Sequence, residues 1–593
     1  MRFTNIGILQ IRIRSEIKRI FDKLYIPLFA MVRFTTILFS LCLLACSSQV
    51  KEPADLLITN GKVWTGVDGR PQRGWVAIKG DRIHSVGFDE DPPEASREVD
   101  ALGGMILPGF NDSHVHFASA GQLLLGINLL DVNTDERLVS RMEETVARMP
   151  KDSWVVRGDW GAYEAWAMGS EGSERSEAAW VPNRELIDNI SKDHFVLVTR
   201  YDGEQGLANA RALEYLEIES ETGILEGDEL QEALASIPEK SYRQRMAEAR
   251  RALEECRRWG VTTVQDMSAP GQLDIYEELL AKGELTCRIN FAPSRLNEYI
   301  RMKEEGWVIE WEAEGGPLPS GDEWITFGTL KTHIDGIMGA RSARFYEPYS
   351  DNSIEMSEWR GGWREFSRDM AEFKRMILAA DDAGIQLRIH AIGDEANSIL
   401  LDILDTMDIV NGERDRRFRL VHAQVISPGD FSRLKGRNII AEVQPYHVAD
   451  DMRWMEERIG HERCKGAYAF KTLQESGCIL SFGSDWPGTN ASYYPVNPLY
   501  GIYSAVRRQT VQGQPAEGWF PEQRLDLETA LRAYTWGSAF GAFEESRKGI
   551  LEKGKFADIA ILDRDLFETS PEEWLNVTVK ATFVGGKQVY NGE

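Results

Sequence analysis

After residue 240 the chain repeats one pattern, a short apolar and β-branched run followed by a helical stretch. The runs are Gly260–Asp266, Leu285–Phe291, Ile325–Ile334, Ile385–Ala391, Phe418–Ala423, Ile439–Gln444 and Cys478–Ser484. Helical stretches at Ser241–Trp259, Leu273–Lys282, Phe366–Ala383, Glu395–Ile409, Gly429–Leu434 and Cys464–Glu475 separate most of them. With Met105–Pro108 running on into Phe110–His116, the runs make eight. Parallel neighbours need a crossover, usually a helix, so this alternation predicts an α/β fold: a closed (β/α)8 TIM barrel. A length of 593 residues accommodates one such unit with accessories.

Two short-stranded segments flank the barrel, at 55–104 and 550–593. They read as one small β-sandwich built from both chain ends, or else as two separate appendages. Residues 118–240 fall between the first and second barrel strands. That is far beyond the ~2–6 residues of an ordinary βα loop, so they form an inserted subdomain within a barrel spanning 105–549. Loops at the carboxyl ends of barrel strands build active sites, so the insert is expected to cover the pocket. Its Trp154, Trp160, Trp166 and Trp180 line that pocket or form the insert's own core.

The first 45 residues read as a signal. Arg33 precedes the apolar run Phe34–Ala45, too short for a stable membrane-spanning helix. Leu43-Leu-Ala-Cys46 is similar to a bacterial lipobox, whose Cys is lipidated and becomes the mature N-terminus; an ordinary signal peptide or an uncleaved anchor is the alternative. Met31 stands just before this signal, so residues 1–30 read as an over-extended gene start. Residues 46–54 are a tether. The expected location is the bacterial cell envelope, facing the periplasm or exterior, with membrane contact through the lipid alone. The formal net charge of -26 argues against a nucleic-acid partner, because phosphate binding needs clustered basic residues. Cys256, Cys287, Cys464 and Cys478 read as buried thiols with no pairing pattern.

The chemistry gathers at strand ends. His114 and His116 are i and i+2 on the first strand, so both imidazoles share a face, as metal ligands must. His390 ends the fifth strand, His422 the sixth, and Asp485 the eighth. The chain has 9 His, and four of them stand at the carboxyl ends of barrel strands.

These motifs identify a family. Leu107-Pro-Gly-Phe-Asn-Asp-Ser-His-Val-His116, Gly260-Val-Thr-Thr263, Leu330-Lys-Thr-His-Ile-Asp-Gly336, His390-Ala-Ile-Gly-Asp-Glu-Ala396, Arg419-Leu-Val-His-Ala-Gln424 and Gly483-Ser-Asp-Trp-Pro487 resemble the amidohydrolase superfamily, in its type-3 (YtcJ-like) branch. The tail Gly549–Asp558, with Gly585-Gly-Lys587, matches that family's returning sandwich strands.

The resemblance implies one or two divalent ions, Zn in the first instance. Their ligands would be His114, His116, His390, His422, Asp485 and Lys331. An unmodified ammonium has no lone pair, so Lys331 is a ligand only once carbamylated; a lysine paired with nearby acids is the competing reading. Asp485 would take a proton from metal-bound water and return it to the leaving nitrogen. Its alternative role is a helix N-cap. Asp335, Arg341 and His447 are candidate substrate contacts, with a structural salt bridge the other reading of Arg341. His333, where the family usually has an apolar residue, is an extra ligand, a Lys331 neighbour or a core histidine.

One motif departs from the branch. Asp202-Gly-Glu-Gln-Gly-Leu-Ala-Asn209 carries Glu204 and Leu207 where the branch usually has His and an aromatic residue, and substrate preference does not carry over from relatives. The expected activity is metal-dependent hydrolysis of a non-peptide C–N bond, of the N-acyl or N-formyl amide type, in a small-molecule substrate. Deamination and lactone or ester hydrolysis use the same site, and a solute-binding lipoprotein without turnover is a third class. The sequence sets no oligomeric state; a homo-oligomer stays open.

Overall fold

The computed structural model describes residues 52–67, 69–160, 180–200, 203–268, 271–293, 320–321, 323–327, 329–364, 367–489 and 492–592. The signal segment, Cys46, Trp166 and Asp202 lie outside them. All elements below belong to the unit Ala54–Glu593. No helix among the described residues is long and apolar enough to cross a membrane.

Eight parallel segments form the centre: β1 (Phe110–Val115), β2 (Val261–Ser268), β3 (Arg288–Pro293), β4 (in two pieces, Ile325–Phe327 and Thr329–His333), β5 (Gln386–Ala391), β6 (Arg419–His422), β7 (Ile440–Val443) and β8 (Ile479–Phe482). Each pairs with the next in chain order through the first piece of β4, and again from its second piece to β8. The end of β8 returns to β1. Val115 bridges Trp486, Asp485 N donates to His114 O at 2.8 Å, and His116 N donates to Trp486 O at 2.8 Å. Gly483 permits this closure, since a Cβ there would stand 2.6 Å from His114 N. β1, β2, β3, β5, β6 and β7 are buried throughout their lengths. Near-continuous apolar runs are what strands covered on both faces require.

Two of the helices between strands carry side-chain caps at their starts. Tyr242–Arg258 is capped by the Ser241 side chain, which accepts from Gln244 N. It ends with Arg257 and Arg258 in its last turn and Gly260 at φ 72° beyond. Met370–Asp382 is capped by Asp369. The expected helix at Gly429–Leu434 is a 3₁₀ turn, Asp430–Leu434.

Strands from the two chain ends are joined in one hydrogen-bonded sheet of eight strands. Its order is Lys587–Asn591, Val579–Val584, Ile559–Leu562, Met105–Pro108, Ala54–Val63, Gln72–Lys79 and Arg82–Gly87, with Ala95–Asp100 beside Ala54–Val63. Leu56, Ile58, Val76, Ile106, Ile559, Ile561 and Phe583 form its core. Met105–Pro108 therefore belongs to this sheet and not to β1. The chain changes sheets at Gly109, whose N donates to Asp558 O while Phe110 N donates to Gly260 O. A Cβ on Gly109 would lie 2.2 Å from Thr262, so only glycine fits.

The insert has its own four-stranded sheet, ordered Ile224–Glu226, Gln205–Ala208, Phe195–Arg200 and Trp154–Trp160. Trp154 and Trp160 are buried in two cores on this sheet, and Trp180 packs against the second. These tryptophans serve the insert's own stability. Cys256, Cys287, Cys464 and Cys478 are buried free thiols.

Candidate metal centre

His114, His422 and Asp485 each offer one ligand atom, and the three atoms lie within 4.8 Å of one another. Asp485 Oδ1 is 3.5 Å from His114 Nε2 and 3.3 Å from His116 Nε2, and its Oδ2 is 3.7 Å from His447 Nε2. Lys331 Nζ stands 3.3 Å from His114 Nε2. The His390 ring lies 4.5 Å from the His422 ring, centroid to centroid, and His333 lies 4.9 Å from His390.

Backbone geometry aims two of these groups. In β6, Arg419 points inward to Glu442, and simple alternation would turn His422, three residues on, to the opposite face. His422 instead adopts φ 68° and Ala423 φ 42°, which re-aims the imidazole into the site. Asp485 sits at φ 58°. Left-handed backbone at a non-glycine residue is costly and gathers at functional sites.

Three of the imidazoles have an acceptor behind them. Gln444 Oε1 lies 2.7 Å from His422 Nδ1, and its amide is oriented by a 3.4 Å contact from its Nε2 to Glu442 O. A carbonyl oxygen only accepts, so His422 carries its proton on Nδ1 and keeps the Nε2 lone pair. His390 Nε2 faces Gly336 O at 2.9 Å, so there the proton is on Nε2 and the lone pair on Nδ1. His114 Nδ1 is 2.6 Å from Glu442 Oε1.

Burial sets the charge states. It holds His114 and His390 well below the ordinary histidine value and takes His422 down to about 3. All three are neutral, as ligands must be. Burial pushes Lys331 down to about 7, against the opposing pull of Glu442 and Asp485. Asp485 is held well below the usual carboxylate range although burial works against its charged form, and its Oδ1 faces His114 Nε2 and His116 Nε2. Asp112 supports the floor: buried and raised to about 7 by desolvation, it accepts from His114 N at 3.1 Å and Ser484 N at 3.0 Å.

Two expected substrate contacts have partners within the protein. Asp335 is fully buried, and its carboxylate accepts from Ile392 N at 3.1 Å, Gly393 N at 2.9 Å and Arg344 N at 2.8 Å. It anchors the loops after β4 and β5, and its Oδ1 lies 3.5 Å from His390 Nε2. Arg341 is held by Asp351, Nε to Oδ1 at 3.0 Å and Nη2 to Oδ2 at 2.6 Å, which is the salt-bridge reading. His447 faces Asp485 and packs its ring 4.2 Å from Tyr494. Glu204 pairs with Arg200 at 3.0 Å on the insert, Leu207 is in the insert core, and Asn209 caps the helix Ala210–Leu216.

Glu442 escaped the sequence reading. It is fully buried in β7, with Arg388 Nε at 3.0 Å and Arg419 Nε at 2.7 Å from its Oε2. The signal was present: single charged residues in otherwise apolar buried strands need partners. A cavity of about 750 Å³ lies in the insert, lined by Trp154, Phe195, Tyr215, Arg157 and Lys240, and it includes none of the site's histidines. The convergent ligand atoms, and not the size of a cavity, locate the chemistry.

Neutral buried imidazoles and a carboxylate are a donor set for a borderline divalent ion, and the residues fit one. On an α/β fold this site defines the class of metal-dependent hydrolases. The chain belongs to the amidohydrolase family, which it matches over residues 97–590. It is 31% identical over 573 residues to Protein LONG AFTER FAR-RED 3 of Arabidopsis thaliana, covering 91% of this chain and 92% of that one. It is 26% identical to the putative amidohydrolase YtcJ of Bacillus subtilis (84% and 90% covered), and 24% identical to the N-substituted formamide deformylase of Arthrobacter pascens (90% and 97%). Among solved structures, an uncharacterized metal-dependent hydrolase from Pyrococcus horikoshii shares the fold, with a TM-score of 0.68, 24% identity, and 87% and 99% covered.

Proposed function

We propose that this chain hydrolyses a non-peptide C–N bond, of the N-acyl or N-formyl amide type, in a small-molecule substrate, and that its eight parallel segments are a (β/α)8 barrel. The observation that carries the activity is the meeting of His114, His422 and Asp485 within 4.8 Å, with His116 and His447 facing the same carboxylate. The likeness to a formamide deformylase supports the substrate class. The cofactor is a divalent ion, Zn in this proposal, held by His114, His422 and Asp485, with His116, His390 and Lys331 available for a second. When bound, it polarises the substrate carbonyl and lowers the pKa of water to ~7. Asp485 accepts the proton of the attacking water and delivers it to the leaving nitrogen. His447 faces Asp485 Oδ2 and holds the substrate side of that path. A panel of N-formyl amides, N-acyl amides, aminopurines, lactones and esters, assayed with added Zn, tests the reading. Turnover of lactones or aminopurines with inert amides would overturn it.

Lys331 is carbamylated in this proposal. Burial keeps its amine close to the neutral form, which has the lone pair to attack carbon dioxide. A bond forms between Nζ and the carbon, one proton leaves, and a carbamate anion remains. That anion meets a buried layer in which Arg388 and Arg419 share the single carboxylate of Glu442. Lys331→Ala is expected to lose activity and regain part of it with a short carboxylic acid. Full activity at unchanged metal content would refute the carbamate.

The N-terminal reading is proposed as well. Cys46 is lipidated and the enzyme faces the periplasm or exterior, anchored through that lipid. Mass spectrometry of the native N-terminus should show a diacylglyceryl Cys46; an unmodified soluble chain beginning at Met1 or Met31 is the contrary result.

A further inference from the structure

We infer that Glu442 is a positioning residue, one that fixes which nitrogen of His114 faces the ion. The inference rests on the metal-dependent reading above. Glu442 Oε1 lies 2.6 Å from His114 Nδ1, and both side chains are fully buried. Arg388 donates to both carboxylate oxygens, Nε to Oε2 at 3.0 Å and Nη2 to Oε1 at 2.6 Å, and Arg419 Nε adds a third contact at 2.7 Å. Guanidinium groups only donate, so Glu442 stays an acceptor on both oxygens. Its partner on His114 must therefore be an N–H, which puts the imidazole proton on Nδ1 and the lone pair on Nε2. Nε2 is the atom that faces Asp485 at 3.5 Å and Lys331 at 3.3 Å.

The arginines also hold Glu442 in place. Arg388 Nη2 reaches Ser113 O, beside His114 on β1, and Arg419 Nη1 donates to Gln265 Oε1 on β2 at 2.6 Å. Strands β1, β2, β5, β6 and β7 thus converge on one carboxylate, and the carboxylate orients one ring. Carboxylates behind metal-bound histidines fix the tautomer and raise ligand basicity, and losing one typically costs ~10–100-fold in metal affinity.

Two measurements test this. In wild-type protein stripped of metal, ¹⁵N labelling of the histidine rings reads the tautomer directly. The expected result is a proton on Nδ1 of His114; a proton on Nε2 overturns the inference, and no variant has to fold for it. Zn affinity by chelator competition is then compared across wild type, Glu442→Gln and Glu442→Asp. The Asp variant keeps the charge that Arg388 and Arg419 need while withdrawing the carboxylate by one methylene. Both variants are expected to bind Zn ~10–100-fold more weakly. A merely structural role lowers thermal stability without moving the affinity of the folded fraction. Wild-type binding with unchanged binding by a folded Glu442→Asp overturns the role of Glu442 alone. A wild-type protein that binds no Zn overturns the hydrolase reading and this inference with it.

Discussion

Stripping the divalent ion is expected to abolish turnover, and adding Zn back to restore it. The loss is expected to span several orders of magnitude, because water without the ion returns from a pKa of about 7 toward 15.7. Among the described residues, the site's other groups are poor substitutes. His114, His390 and His422 are neutral imidazoles held below their ordinary range by burial, and so poor carriers of positive charge toward a developing oxyanion. Lys331 Nζ is turned to His114 Nε2. The same experiment has a second readout. An ion that binds the folded chain alone stabilises it by roughly 2.7 kcal/mol at a hundredfold excess over its Kd, so Tm should rise with added Zn. Undiminished turnover by protein shown to be metal-free would refute the prediction.

How far these groups could be foreseen depended on whether local periodicity or tertiary context aimed them. His114 and His116 follow from strand alternation, and the structure puts both against Asp485. His422 was placed at a strand end by its motif, but alternation from Arg419 aims it outward. The φ of 68° that turns it inward leaves no mark on a local apolar pattern. Met105–Pro108 and Phe110–Val115 read as one strand because both are apolar, and their division at Gly109 is set by two different partners, Asp558 and Gly260. Asp335 and Arg341 carry chemistry that could serve a substrate, and no motif showed that Asp335 would also bond Ile392 N or that Arg341 would pair with Asp351. Glu442 was legible in principle as a lone carboxylate in an apolar run. Its two arginines stand 54 and 23 positions away, beyond any motif's reach.

Asp485→Asn is expected to lower kcat by ~10²–10⁴-fold, the ordinary worth of general acid–base assistance. The substitution suits the question because Asn, like Asp, tolerates the left-handed backbone that Asp485 occupies at φ 58°. The peptide geometry that returns β8 to β1, with Asp485 N donating to His114 O, can then persist. What disappears is the basic carboxylate. It is held well below the usual carboxylate range, so it is ionised and can accept a proton throughout the neutral range. Asp485 also belongs to the ligand cluster, and metal occupancy is expected to fall with it, so kcat has to be expressed per bound ion. A structural cap would behave differently, with lower stability and near-normal turnover per loaded molecule. Wild-type kcat on that basis would remove Asp485 from the proton path. Another group would then carry the proton, with His447, whose Nε2 is 3.7 Å from Asp485 Oδ2, and Asp335, whose Oδ1 is 3.5 Å from His390 Nε2, first in line.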